Sequence, residues 1–332
     1  MLYIIPLFLI IGCSNAIWML NLNAVTTEPE AKLEHAAIPI KDGEAKNLVD
    51  LAESLGLSIL VKALEETGMD NVIDHEGKFT LFAPTNEAFK RIPEWAKDLP
   101  LKEVLRYHIA RGLYYDKDLQ NDMKLRTLLT KRDLRINLYD NGQTILAGGK
   151  RINGSNYEAH NGVLHLLEDV IVSIPARHGT VIHQLRRCPV FSDLVELIDR
   201  AGLDEALQTH GPITFFAPSN DVIRKLPPDV IKHLVDDPAL LKEVLTYHVL
   251  SGTFYSPGIK DGMEGTTMQG KSLIFSIKDG EVIINSKTKV TSADSNASNG
   301  VIHSIDNVLI PPQIQAKLKS RILKKSRAFS FQ

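Results

Sequence analysis

The chain has 332 residues, 44% of them hydrophobic and 23% charged, with a formal net charge of −2. That length suits about two globular domains, each able to bury a core of its own. The near-neutral balance excludes nucleic-acid binding through overall charge, so any polyanion contact has to be local.

Residues 2–12 form an almost wholly apolar run, followed by Ser14-Asn15-Ala16. A short hydrophobic core ahead of a small-x-small site reads as a secretory signal peptide over residues 1–16, too short to span a bilayer. No Lys or Arg precedes the run. Ile10-Ile11-Gly12-Cys13 offers an alternative, a bacterial lipoprotein box, ranked second because such leaders normally carry a basic start. Residues 17–43 form a polar spacer. No later stretch reaches transmembrane length, so the mature chain is expected to be soluble once exported.

Beyond the spacer the chain repeats itself. Thr80-Leu81-Phe82-Ala83-Pro84-Thr85-Asn86 recurs as Thr214-Phe215-Phe216-Ala217-Pro218-Ser219-Asn220. Lys102-Glu103-Val104-Leu105-Arg106-Tyr107-His108 recurs as Lys242-Glu243-Val244-Leu245-Thr246-Tyr247-His248, and Asn161-Gly162-Val163-Leu164-His165 as Asn299-Gly300-Val301-Ile302-His303. The offsets are 134, 140 and 138 residues. Order is kept and drift is small, so one domain is duplicated, over residues 44–174 and 175–312. The six-residue gain falls around Pro227-Pro228-Asp229, read as a loop.

Each copy shows the same elements. A helix over Leu57–Gly68 or Phe191–Gly202 stops at its glycine. A short strand, Phe79–Ala83 or Ile213–Ala217, ends at proline, after which Thr85 or Ser219 caps a new helix. Following the Tyr-His pair, alternation takes over. Leu273, Phe275 and Ile277 share a face, with hairpin turns at Asp279-Gly280 and Asp140-Asn141-Gly142. A last strand covers 163–172 or 301–310, and Pro175 and Pro311 close the copies. Helices first and strands later, without βαβ alternation, define an α+β fold.

The chemistry-bearing positions are few. Tyr107, His108, Tyr247 and His248 stand between apolar neighbours, which favours a hydrogen-bonded core knot over a contact site. Asn161-Gly162 and Asn299-Gly300 read as turn chemistry. His160 and His165 lack the partners of a zinc set, since Ser298 replaces His160 in the second copy; no metal or other cofactor is expected. No catalytic fingerprint occurs, so no enzymatic activity is expected. Asn153-Gly154-Ser155 and Asn296-Ala297-Ser298 fit the glycosylation rule in turn-like stretches. Of the two cysteines, Cys13 would leave with the leader. Cys188 would remain alone, as a small buried hydrophobe or as the link of a dimer. The tail, residues 313–332, carries Lys317, Lys319, Arg321, Lys324, Lys325 and Arg327 among Ile314, Leu318, Ile322 and Leu323. That is a possible basic amphipathic helix for heparin-like glycans.

The three ordered blocks, found twice, resemble the fasciclin domain family across nearly all of residues 44–312. The resemblance implies two tandem fasciclin-like domains, each a wedge-like β-sandwich with a group of helices. It implies a secreted cell-adhesion protein of the extracellular matrix, acting through integrin-like receptors, collagen or other matrix components. In that family the Tyr-His region is a proposed integrin contact, which maps to Tyr107, His108, Tyr247 and His248. A second proposed contact, Asp-Ile, is replaced here by Asn156-Tyr157 and Asp294-Ser295. Arg111-Gly112 is followed by Leu113, so there is no Arg-Gly-Asp. The alternatives are a secreted module for matrix glycans or small ligands without receptor contact, and a bacterial surface lipoprotein with an adhesive role.

Overall fold

The structure is a computed structural model that describes residues 47–172 and 179–318. The expected signal peptide, residues 17–43, Cys13, Pro175 and the basic residues Lys319, Arg321, Lys324, Lys325 and Arg327 lie outside the described residues. The described residues divide into two compact units, 47–172 and 179–318.

In the first unit, α1 (Leu48–Ser54), α2 (Ser58–Thr67) and α3 (Met69–His75) come first. Leu60, Ala63 and Leu64 give α2 one buried face, and Gly68, at φ 64°, ends it in the left-handed region where glycine costs least. β1 (Phe79–Pro84), α4 (Asn86–Lys90), α5 (Leu101–His108) and β2 (Ile109–Arg111) follow. β3 (Lys124–Arg126), β4 (Asp133–Tyr139), β5 (Thr144–Ala147), β6 (Lys150–Arg151), β7 (Tyr157–Ala159) and β8 (Gly162–Leu167) complete the unit. One sheet has the order β2-β1-β8-β7, the other β3-β4-β5-β6. Single bridges at Ala110–Thr127 and Ile152–Leu167 join their margins.

β1 explains why the unit has two cores. It is buried along its whole length, as a strand covered on both faces must be. Phe79, Leu81 and Ala83 pack with Leu48, Leu60, Leu64, Met69 and Ile73 under the helices. Phe82 points the other way, into the space between the sheets, with Leu125, Leu134, Ile136 and Leu167. β1 runs parallel to β8, so Gly162 passes directly beside the Phe79 carbonyl, and a Cβ there would strike that carbonyl and Leu48.

The second unit repeats the plan with α6 (Val181–Arg187), α7 (Ser192–Arg200), α8 (Asp204–Thr209), β9 (Ile213–Pro218), α9 (Asn220–Ile223), α10 (Pro228–Asp236), α11 (Pro238–Tyr247) and β10 (Val249–Ser251). β11 (Glu264–Thr266), β12 (Ser272–Lys278), β13 (Glu281–Ile284), β14 (Thr288–Ala297) and β15 (Gly300–Ile305) follow. Here the strands form one continuous seven-stranded path, β10-β9-β15-β14-β13-β12-β11. β14, at 10 residues, bends from one layer to the other through register shifts near Ser292, whereas the first unit breaks this strand into β6 and β7.

Several expectations need correction. Pro227-Pro228-Asp229 is not a loop: Pro228 occupies the first turn of α10, where its missing N–H is not needed, and the first unit has only a single 3₁₀ turn over Glu94–Ala96. The last strands stop at Leu167 and Ile305, because their parallel partners end at Pro84 and Pro218 and proline cannot extend the ladder. Ile277 is 38% exposed at the turn end of its hairpin, while Leu273 and Phe275 are buried. Ser219 makes no side-chain cap, although Thr85 accepts from the Ala88 N–H at 3.2 Å. Asn296 lies in β14, not in a turn. Residues 312–318 are helical, and Ile314 and Leu318 join the core of the second unit. Cys188, buried in that core, is disulfide-bonded in the full chain and not a lone thiol there.

Candidate functional site

The repeated motifs come together within each unit, and their side chains are turned inward. α5 and α11 end at the Tyr-His pair, and the four side chains are 1–8% exposed. Tyr107 donates its hydroxyl to the Asp133 carbonyl at 3.2 Å, and Tyr247 to the Ser272 carbonyl at 3.4 Å. Burial pushes the Tyr107 hydroxyl up to about 12, against the pull of Arg132 and Arg135.

His108 and His248 are molecular clasps. Each Nδ1 meets the carbonyl four residues back, Val104 or Val244, at 2.8 Å. Each Nε2 receives a backbone N–H from the segment beyond the last strand, Ile171 at 2.9 Å or Leu309 at 3.0 Å. A backbone N–H can only donate, so Nε2 carries no proton and Nδ1 carries one: both rings are held neutral. Full burial agrees, lowering each pKa from 6.5 to about 4, with the valine carbonyl pulling weakly the other way.

A second buried histidine in each unit has the opposite tautomer. His165 Nε2 donates to the Tyr114 carbonyl at 2.8 Å and His303 Nε2 to that of Phe254 at 2.7 Å. Their Nδ1 atoms accept the backbone N–H of Asn156 at 3.4 Å and of Asp294 at 3.2 Å. The rings stack on Phe82 and Phe216 at 5.4 and 5.5 Å between centroids. Burial lowers both pKa values, against Tyr114 and Asp116 around His165 and against Asp294 and Phe254 around His303.

Around this second histidine the units differ. In the first, Asn156 Oδ1 accepts the Asp116 N–H at 2.9 Å. In the second, Asp294 Oδ1 accepts the Ser256 N–H at 2.8 Å and its other oxygen accepts the Ser256 hydroxyl at 2.5 Å. The carboxylate has changed sides. Burial would raise the Asp116 pKa, but bonds from Asn156, the Lys117 N–H and Ser155 leave it lowered. Asn156 and Asp294 have φ of 62° and 65°, left-handed positions that Asn and Asp tolerate better than most residues.

The remaining motif residues hold helices in place, roles that the sequence reading missed. Asn86 accepts the Ile59 N–H at 3.1 Å and donates to the Gly56 carbonyl at 2.9 Å, and Asn220 repeats this with Asp193 and Pro189 at 3.0 Å each. Asn161 accepts the Leu48 N–H, and Asn299 the Val181 N–H, at 2.8 Å each. Asn161 and Asn299 are thus more than turn residues: they tie the first helix of each unit to the last hairpin. Thr80 and Thr214 donate to the Gly112 and Gly252 carbonyls at 2.9 and 2.8 Å. The available signal was repetition itself, since a polar residue that recurs beside buried strands requires a partner.

Asn153 and Asn296, the glycosylation candidates, are exposed, though Asn296 Oδ1 also accepts from the Tyr255 hydroxyl. Lys317 is exposed on the terminal helix. Among the described residues no group of three or more His, Cys, Asp or Glu side chains converges to hold a metal ion, and no helix is long and apolar enough to cross a membrane.

Fold and motif geometry thus define a tandem protein whose repeated residues build its domains. A fasciclin domain model matches residues 55–173 and 189–311, and the chain belongs to that family. It is 30% identical over 246 residues to transforming growth factor-beta-induced protein ig-h3 of Sus scrofa, covering 71% of this chain and 35% of that protein. It is also 30% identical over 256 residues to periostin of Homo sapiens, covering 72% and 29%. Protein sll1483 of Synechocystis sp. is 41% identical over 135 residues, covering 40% of this chain and 74% of that protein. Against the animal proteins this chain spans about a third of their length. A solved fasciclin domain pair from the insect cell adhesion molecule Fasciclin I covers 79% of this chain and 99% of its own, with 19% identity and a TM-score of 0.41.

Proposed function

We propose that this chain is a secreted, non-enzymatic adhesion protein of the extracellular matrix. The observation that supports it is membership of the fasciclin family twice in tandem, together with repeated polar residues that are committed to internal bonds. Side chains so committed are poorly placed for catalysis, which needs groups free to meet a substrate. Two linked domains engage a surface through individually weak contacts, strengthened by effective concentration. Receptors of the integrin type, collagen and heparin-like glycans are the partners proposed. Because Tyr107, His108, Tyr247 and His248 face inward, contact falls to the exposed surface, to glycans on Asn153 and Asn296, and to the basic stretch from Lys317 to Arg327.

Cells plated on the purified protein are expected to attach better than to an inert coating, and collagen or heparin to retain it. Indifference to cells and to every matrix component would defeat this reading and leave only the fold. A second reading, a bacterial surface lipoprotein acylated at Cys13, draws on the 41% identity with the Synechocystis protein. Mass spectrometry of the exported N-terminus separates the two, since cleavage near Ala16 removes Cys13 and acylation retains it.

A further inference from the structure

In an Asn-Gly pair the carboxamide meets the next backbone nitrogen with little hindrance, because glycine puts no Cβ in the way. The chain has this pair four times, at Asn141-Gly142, Asn153-Gly154, Asn161-Gly162 and Asn299-Gly300. The fold treats the four very differently.

Three are locked. Asn161 Oδ1 accepts the Leu48 N–H at 2.8 Å, while its Nδ2 donates to the Ile73 carbonyl at 3.2 Å. Asn299 Oδ1 accepts the Val181 N–H at 2.8 Å, and its Nδ2 donates to the Leu207 and His210 carbonyls at 2.9 and 2.7 Å. The glycines that follow lie beside the Phe79 and Ile213 carbonyls in parallel ladders, so neither side chain nor backbone is free to turn. Asn153 is held through the backbone. Its N–H donates to the Leu166 carbonyl at 2.9 Å, and the Gly154 carbonyl accepts the Leu166 N–H at 2.8 Å.

Asn141 has none of these restraints. It is exposed at the tip of the hairpin between β4 and β5, and among the described residues its carboxamide takes part in no hydrogen bond. Asn141 and Gly142 have φ of 55° and 90°, and nothing lies within 4 Å of the place where a Gly142 Cβ would stand. The fixed points are beside the tip: the Gln143 N–H donates to the Asp140 carbonyl at 3.2 Å, and the Thr144 hydroxyl to the Asp140 carboxylate at 3.1 Å. Backbone at an exposed tip rearranges at little cost.

We propose that Asn141 is a site of spontaneous deamidation, the Asn-Gly pair at which the folded chain leaves the reaction open. The Gly142 backbone nitrogen gives up its proton and attacks Asn141 Cγ. The new C–N bond closes a cyclic imide, and the side-chain nitrogen leaves as ammonia with a proton in place of the one released. Water then adds to either imide carbonyl and opens the ring, giving aspartate or isoaspartate at position 141. Nothing is oxidised or reduced. The product adds a negative charge beside Asp140, and the isoaspartate form lengthens the backbone of the tip by a methylene. The matching hairpin of the second unit turns at Asp279-Gly280, also exposed, with φ of 52° and 76°. An aspartate reaches the same imide only by expelling water, and returns from it without a change of charge. Among these hairpin tips, charge therefore accrues with time in the first unit alone.

The test holds the full chain in mildly alkaline buffer, native or unfolded in urea, and samples it over weeks. Trypsin releases residues 136–150, and fragment spectra locate each amide-to-acid change. In urea all four asparagines should react at similar rates, apart from Asn153 where it bears a glycan. In the native chain Asn141 should keep most of that rate, while Asn161 and Asn299 slow by about ten-fold or more, the factor for breaking two hydrogen bonds beforehand. An isoaspartyl methyltransferase should label the native chain within residues 136–150, and Asn141→Gln should remove both that label and the acidic band on isoelectric focusing. Protection of native Asn141 as strong as that of Asn161 and Asn299 would overturn the proposal. So would equal reaction at all three while circular dichroism shows the chain folded.

Discussion

The two units of this chain are a natural double experiment. Both keep two buried histidines of opposite tautomer, both stack one on a phenylalanine, and both clamp helices with the same asparagines. They differ in which partner carries the charge beside the stacked ring: Asp116 facing Asn156 in one, Ser256 facing Asp294 in the other. What is held constant is the pattern of donors and acceptors. The sign and position of the charge are free to vary, as expected where geometry, not titration, is the requirement.

The comparison breaks most severely at the shared stacking residue. Phe216→Ala removes a fully buried ring that contacts His303 and Phe275. It should cost the second unit about 3–5 kcal/mol, as large-to-small aromatic truncations do. Phe82→Ala should do the same to the first unit alone, and amide exchange that resolves the two units will show whether the losses stay separate.

Acid should weaken both units alike. His108 and His248 have folded pKa values of about 4 against 6.5 in the unfolded chain. The unfolded chain therefore takes up a proton first as pH falls. The stability is complete above pH 6.5 and is lost between 6.5 and 4, by about 3 kcal/mol per histidine. Denaturant titrations at pH 7.5, 5.5 and 4 measure this directly. Unchanged midpoints across that range would mean that the histidines are not held neutral.

Exchanging the differing residues sharpens the contrast. Asn156→Asp sets a second carboxylate against Asp116 and should destabilise the first unit by about 1–2 kcal/mol at neutral pH. The penalty should shrink on acidification as one of the pair is protonated. Asp294→Asn keeps an oxygen to accept the Ser256 N–H, and should cost less, about 1 kcal/mol. Thermal unfolding of both variants at pH 7 and 5 decides the order.

The smallest effect separates the caps. Thr85→Ala deletes a side chain that bonds the Ala88 N–H and should cost about 1 kcal/mol. Ser219→Ala deletes one that makes no such bond, and should fall within a few tenths of a kcal/mol. Equal losses would show that the hydroxyl of Ser219 caps α9 in solution.

The duplication, the α+β order and the positions of the main helices and strands were legible in the sequence, because they rest on local signals. Apolar spacing builds one face of α2, Gly68 and Gly202 stop helices, and Asp279-Gly280 turns a hairpin with φ of 52° and 76°. Belonging to the fasciclin family was legible too, through three ordered blocks of residues. What those blocks do was not. That Asn86 caps a helix 27 residues earlier, that Asn161 fastens α1 across 113 residues, and that His108 reaches Ile171 across 63 are matters of contact between distant segments. A backbone N–H left over at a helix start must find an acceptor. Local sequence states that need, but only the packing of the whole domain selects the side chain that meets it. The same holds for Gly162, which looks like a turn residue but is required because a parallel strand passes beside it. Burial of the Tyr-His pair was decided in the same way: the apolar flanks hinted at it, and the second sheet, closing over Tyr107 and Tyr247, made it so.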